Sequence, residues 1–273
     1  MQDIKMLVTD IDGTILPYGD KIFSKKIKNL FKEAKAKGLI TVIATGREIV
    51  TARELFAQFD NVDYFIGANG SFVLDLKTKK YVVNKMIDYD FAKRYYDWTL
   101  ANYPHAGVTV TDNQYIFKSP EGVNTKNWFL IQHSDLLKEF ADFKKYGNDQ
   151  EISIVTVTSL DKVHFDASED FLNRPENANY GVSAHWSSGW FVCQKNVNKL
   201  TAIADLVKLH NLTLDNVIAF GDSENDIEMV AGVKYGVAVK NAIDKVKENA
   251  KEVTSLNCSE DGVYHHCKAI KII

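Results

Sequence analysis

Cysteine is scarce in this 273-residue chain, and Cys193, Cys258 and Cys267 stand far apart in no zinc-like spacing. That excludes a disulfide framework and a cysteine-built metal centre; reduced thiols in a reducing compartment are expected. Only four of the 33 basic residues are arginine (Arg47, Arg53, Arg94, Arg174), and the net charge is −3. No basic field is available to hold a nucleic-acid backbone, so no nucleic-acid partner is expected. No stretch approaches the roughly 20 apolar residues of a membrane span. The start, Met1 to Met6, has no positive segment followed by an apolar run, so no secretion signal and a cytoplasmic location are expected. Repeats and low-complexity linkers are also missing. What is present is ordinary for a folded protein: 45% hydrophobic and 25% charged residues. At about 150 residues per domain, the length suggests roughly two domains.

Strand-like and helix-like patterns alternate over the first eighty residues. Met6 to Thr9 is a short apolar run ending in Asp10-Ile-Asp-Gly-Thr14. Ile27, Leu30, Phe31 and Ala34 then recur at helical spacing, with Ser24 suited to the N-cap and Gly38 to the stop. Leu39–Ala44 reads as a buried strand, 49–59 as a helix and Tyr64–Gly67 as a third strand. That rhythm is the signature of a parallel sheet covered on both faces. From about residue 84 it changes. Helices near 90–102 and 135–146 are interspersed with β-branched strands at 107–111 and 151–158, and 180–193 reads as a hairpin. The parallel rhythm returns with a helix from Asn198 to His210, strands at 216–220 and 235–239, and closing helices. The expected fold class is α/β: a doubly wound, Rossmann-like parallel sheet formed by 1–83 and 190–273, with an α+β domain inserted at 84–189.

Polar residues collect where the parallel strands end, the edge at which open α/β sheets bind ligands. Asp10 and Asp12 are two apart, so their side chains share a side if the strand persists. Like charges so close favour a shared proton or a divalent cation, although a strand-ending turn accounts for either residue alone. Gly13 permits a sharp turn. Gly221-Asp-Ser-Glu-Asn-Asp226 supplies a second acidic cluster at a strand end, and with Asp10 it offers hard oxygen ligands suited to Mg2+. Helix capping explains one of these residues, not the whole set. Thr45-Gly46-Arg47 offers a hydroxyl and free backbone N–H groups, and Lys199 a compact positive charge; both suit phosphate. Together they fit phosphoryl transfer through an aspartyl-phosphate.

On these residues the chain resembles the haloacid dehalogenase superfamily, specifically its Cof-type phosphatases with an α/β cap. Asp10-Ile-Asp-Gly-Thr14, Ala44-Thr-Gly-Arg47, Lys199 and Gly221-Asp-Ser-Glu-Asn-Asp226 match the four family motifs in order and spacing. The resemblance implies Asp10 as nucleophile and Asp12 as general acid/base. It also implies Mg2+ on Asp10, the Asp12 carbonyl and Asp222, and phosphate held by Thr45, Lys199 and Asn225. Gly13, Gly46, Arg47, Asn69 and Asp226 would support the site, and the insert would act as a cap that chooses a small phosphorylated metabolite, with sugar phosphates foremost. Leu200 departs from the Gly usual after the third-motif Lys. Trp128, His133, His164, His185, Trp186 and Trp190 are candidates for reading the substrate within the insert. His265-His266-Cys267 reads as helix surface, since adjacent helical positions face apart. A phosphomutase would use the same two aspartates and stays open, as does, more remotely, a non-catalytic phosphate sensor. A two-component receiver fails on motif order, because its acceptor Asp follows the third strand.

Overall fold

The computed structural model describes residues 3–120 and 128–273. Contacts divide the chain into two compact units, one of Met1–Arg47, Ala52–Asn84 and Asn198–Ile273, the other of Glu48–Thr51 and Lys85–Val197.

In the first unit the strands β1 (Met6–Thr9), β2 (Ile40–Ala44), β3 (Tyr64–Gly67), β4 (Phe72–Asp75) and β5 (Lys80–Asn84) appear in chain order. The helix Lys25–Ala36 between β1 and β2 buries Ile27, Leu30, Phe31 and Ala34, the stripe its spacing predicts. The Ser24 side chain accepts from the Ile27 amide, and Gly38 beyond the far end sits at φ +78°, a conformation favouring glycine. The helix after β2 spans Ile49–Phe56, three residues short of the expected end at 59. β4 and β5 are antiparallel additions that periodicity did not announce. β5 alternates exposed and half-buried residues, as an edge strand must.

The second unit carries β6 (Gly107–Thr111), β7 (Ile116–Lys118), β8 (Leu137–Glu139), β9 (Ile154–Thr158), β10 (Tyr180–Trp186) and β11 (Gly189–Gln194). They form one sheet in the order β10-β11-β9-β6-β7-β8, antiparallel except for the β7–β8 pair. An aromatic-rich cluster that includes Phe91, Tyr95, Phe117, Phe143 and Trp190 fills its core. The single helix expected over 135–146 is instead a strand flanked by 3-10 turns, followed by the one-turn helix Phe143–Tyr146. Parallel pairing of Leu137–Glu139 with Ile116–Lys118 overrides the local helical spacing. Because β11 pairs with β9 and β10, residues 190–194 belong to this unit's sheet, and 195–197 fall within the same unit.

The first unit resumes with β12 (Val217–Gly221), β13 (Tyr235–Ala238) and β14 (Glu252–Val253), completing the order β14-β13-β12-β1-β2-β3-β4-β5. The run from β14 to β3 is parallel throughout. β1 lies centrally, with Thr9 opposite both Phe220 of β12 and Ile43 of β2. That register brings the loops after β1, β2 and β12 to one edge. Cys267 of the closing helix is fully buried and its thiol is pushed up by burial, so this stretch is not simply helix surface. All three cysteines are buried free thiols. Among the described residues, no helix is long and apolar enough to cross a membrane.

Candidate active site

The strand β1 stops at Thr9, and Asp10 follows with its amide bonded to the Phe220 carbonyl at 3.0 Å. The chain then turns, so the extended geometry that would align Asp10 with Asp12 does not persist. Their side chains go to different partners. The Asp10 Oδ1 accepts from Lys199 Nζ at 2.7 Å, whereas Asp12 is gripped by Arg47 through Nε at 2.6 Å and Nη2 at 2.7 Å. Arg47 is 5% exposed, and its fork matches the carboxylate in the bidentate geometry that makes such pairs strong. This pairing was not legible from the motif, since nothing in the spacing of residues 12 and 47 marks them as neighbours.

Lys199 opens the helix Lys199–Leu209, capped by the Asn198 side chain, which accepts from the Thr201 amide. It is 1% exposed and reaches a second carboxylate, Asp226 Oδ1, at 2.6 Å. Burial alone would lower its ammonium, but Asp10 and Asp226 carry it above its ordinary value. Leu200, which stands where a small residue was expected, packs on the helix Ile227–Gly232: a Cβ on Gly232 would lie 2.3 Å from its Cδ2.

The loop after β12 brings in the remaining carboxylates. Asp226 is fully buried, and its Oδ2 accepts from the backbone amides of Asp222 and Ser223 at 3.0 and 3.1 Å. Asp226 thereby shapes the loop and offsets Lys199. Asp222 accepts from the Thr14 hydroxyl at 2.9 Å and from the Tyr18 hydroxyl at 2.8 Å; Tyr18 carries no motif signal. Gly13 sits at φ +84°, and a Cβ there would lie 2.3 Å from Asp222 Oδ2, so both its backbone angle and its space demand glycine. Its carbonyl accepts from Asn241 Nδ2 at 2.8 Å.

Thr45 follows β2, and its hydroxyl accepts from the Arg47 amide at 3.2 Å. Asn69, in the left-handed conformation at φ 54°, donates its amide to the Thr45 carbonyl and accepts from Asn225 Nδ2 at 2.8 Å. Asn225 in turn accepts from Ser223 Oγ at 2.8 Å. Gly46 lies against this amide pair, where an added Cβ would meet Asn69 Oδ1 at 3.1 Å.

Asp10, Asp222 and Asp226 each present an oxygen within 4.8 Å of the others, and all three are buried. Burial, followed by the charges of its neighbours, holds Asp10 well above the usual carboxylate range despite Lys199. Burial and then Asp226 push Asp222 up to about 7. Three carboxylates against one ammonium leave the cluster short of positive charge. An all-oxygen donor set with that deficit fits a hard divalent cation of the Mg2+ class.

Of the candidates in the second unit, Trp190 and His164 are core residues, 2% and 0% exposed. His185 and Trp186 lie at its surface, and His133 is half-buried. The side chain of Trp128 lies outside the described residues.

Comparison with known proteins agrees with this architecture. The family model for haloacid dehalogenase-like hydrolases matches residues 7–266. The 5-amino-6-(5-phospho-D-ribitylamino)uracil phosphatase YcsE of Bacillus subtilis is 28% identical, over 98% of this chain and 95% of its own. The pyridoxal phosphate phosphatase YbhA of Escherichia coli is 23% identical, over 94% of this chain and 95% of its own. Among solved structures, the subclass IIB sugar phosphatase BT4131 superposes with a TM-score of 0.78 at 22% identity, covering 98% of this chain and all of that one. At that identity the likeness establishes the fold.

Proposed function

The chain belongs to the haloacid dehalogenase-like hydrolases, and we propose that this phosphoric monoester hydrolase cleaves small, sugar-like phosphomonoesters by way of an aspartyl-phosphate on Asp10, with Mg2+ as cofactor. The observation that carries this reading is the buried cluster of Asp10, Asp222 and Asp226 around Lys199 at the carboxyl edge of the central strands. Three carboxylates kept out of water beside one ammonium have a steep cost unless the site handles a cation and a phosphate.

In the proposed cycle an Asp10 carboxylate oxygen forms a bond to phosphorus as the bond to the leaving oxygen breaks. Asp12 delivers the proton to that oxygen. It then takes a proton from water, which attacks the phosphorus of the aspartyl-phosphate and releases inorganic phosphate and a free Asp10. Both oxygens of Asp12 accept from Arg47 in this arrangement, which fixes the orientation of the carboxyl group. Lys199, the Thr45 hydroxyl and Asn225 hold the phosphoryl oxygens, with Asn69 and Gly46 keeping Asn225 in register. Asp10, the Asp12 carbonyl and Asp222 would hold Mg2+, which supplies countercharge to the phosphoryl group when bound. The inserted unit is assigned the role of a cap that selects the substrate. Sugar phosphates lead the substrate class, supported by the phosphorylated ribityl compound named for YcsE and by the naming of BT4131 as a sugar phosphatase. Three buried, reduced thiols fit a cytoplasmic enzyme.

The test is phosphate release from p-nitrophenyl phosphate and from a panel of sugar, ribityl and pyridoxal phosphates, with and without Mg2+. Release that needs both Mg2+ and Asp10 supports the mechanism. Isomerised sugar phosphate without free phosphate would replace it with a mutase.

A further inference from the structure

We infer that Tyr18 is a positioning residue that sets divalent-cation affinity by fixing the Asp222 carboxylate, an inference that rests on the metal-dependent reading above. Lys199 bonds Asp10 and Asp226. The side-chain hydrogen bonds to Asp222 come instead from two neutral hydroxyls, Thr14 on Oδ1 at 2.9 Å and Tyr18 on Oδ2 at 2.8 Å. Asp222 is 4% exposed, whereas Tyr18 is 59% exposed. The Tyr18 ring therefore gains little from burial, and what the residue places inside the site is its hydroxyl.

The turn is shaped around this contact. The Gly13 amide donates to the Leu16 carbonyl at 2.7 Å, and Asp20 closes a further turn on Pro17 at 3.0 Å, bringing Tyr18 back over Gly13. A Cβ on Gly13 would lie 2.6 Å from the Tyr18 ring and 2.3 Å from Asp222 Oδ2. The glycine thus leaves a cradle that the phenol and the carboxylate share. Each carboxylate oxygen has two lone pairs. One hydroxyl on each oxygen fixes the rotamer and leaves an acceptor site on each for a cation. Partners of this kind, which orient a ligand without touching the metal, typically change affinity by roughly 10- to 100-fold when removed.

The experiment is calorimetric titration of Mg2+ into the substrate-free native protein and into Tyr18→Phe, Tyr18→Ala and Asp222→Asn, with circular dichroism to verify folding. Native protein is expected to bind Mg2+ and Asp222→Asn to lose that binding. Tyr18→Phe should bind roughly tenfold more weakly, and Tyr18→Ala by the same factor, because the hydroxyl and not the ring carries the effect. Hydrolysis by Tyr18→Phe should recover as Mg2+ is raised, with an unchanged KM for substrate. Native affinity in Tyr18→Phe, alongside loss in Asp222→Asn, would overturn the role of Tyr18 while leaving the metal reading intact. A much larger loss in Tyr18→Ala than in Tyr18→Phe would assign the effect to ring packing and also overturn it. Failure of the native protein to bind Mg2+, or native-like binding by Asp222→Asn, would remove the metal reading and this inference with it.

Discussion

Both units bury polar groups, but they do so in opposite ways. In the first, buried charges are tied to one another: Lys199 to Asp10 and Asp226, and Arg47 to Asp12. In the second, the polar groups set among the aromatics are neutral, and the buried carboxylate of Asp112 accepts from the backbone amides of Gln114, Tyr115 and Asn148. Trp190 Nε1 donates to the Tyr95 hydroxyl at 2.9 Å, and that hydroxyl bonds Ser168 Oγ. His164 is stacked on Tyr103 with ring centroids 3.8 Å apart, and neither of its ring nitrogens has a hydrogen-bond partner. Desolvating a charge costs far more than desolvating a neutral group. Buried ion pairs are concentrated where phosphate chemistry would use them, whereas ring packing dominates the core of the second unit.

The largest expected break in that comparison is kinetic. Asp10→Asn should lower kcat by about a thousandfold or more, since it removes the proposed nucleophile while keeping the side chain's shape. His164→Phe, which replaces a buried imidazole whose ring nitrogens have no hydrogen-bond partner, should leave kcat at the native level. Steady-state hydrolysis of one sugar phosphate by both variants checks this. Equal losses would erase the functional distinction between the two kinds of burial.

Next comes stability. Lys199→Met leaves Asp10 and Asp226 without their shared cation, and breaking a buried ion pair from one side typically costs about 3–5 kcal/mol. The expected readout is a lower urea midpoint with an unchanged denaturant slope. A native midpoint would mean that the carboxylates are already neutral without Lys199, and the charged character of this region would need revision.

The acid side of the stability curve should separate the regions by sign. The folded His164 is lowered by burial from about 6.5 to about 4. Its stabilising contribution is present above the unfolded value and is lost as pH falls through the folded one. The folded Asp222 is raised by burial to about 7. Its contribution is complete below the usual carboxylate value of 3.8 and is lost as pH rises through about 7. Metal-free unfolding between pH 4 and 7 should therefore show His164→Phe flattening a rise in stability and Asp222→Asn flattening a fall. Slopes of the same sign in the two variants would contradict the assignment.

The first region was far more legible in the sequence than the second, for a physical reason. The proposed chemistry at a sheet edge demands particular residue types at fixed offsets, so Asp10, Thr45, Lys199 and Asp222 stand out in the sequence as candidates. Partners such as Arg47 for Asp12, or Tyr18 for Asp222, are set by how loops fold back, and no local period encodes that. In the second unit, Phe140 and Phe143 are buried at a helical interval, yet the preceding residues 137–139 are a strand because Ile116–Lys118 offers them a pairing edge. The hairpin of β4 and β5 was missed in the same way, since short edge strands are specified by neighbours more than by composition.

The smallest expected effect tests whether the units differ in anything beyond these buried groups. Each has a helix begun by a side-chain cap: Ser24 accepts from the Ile27 amide at 3.1 Å, and Asp161 from the Val163 amide at 2.9 Å. In both places an orphan amide is satisfied by a short polar side chain, which is worth about 1 kcal/mol. Ser24 Oγ also donates to Asp261 Oδ1, so Ser24→Ala should cost at least as much as Asp161→Ala. Neither should change kcat/KM for a sugar phosphate. Paired urea titrations decide the matter. A cap in the second unit worth several times its counterpart in the first would mean that local backbone satisfaction, and not aromatic packing alone, holds the inserted unit together.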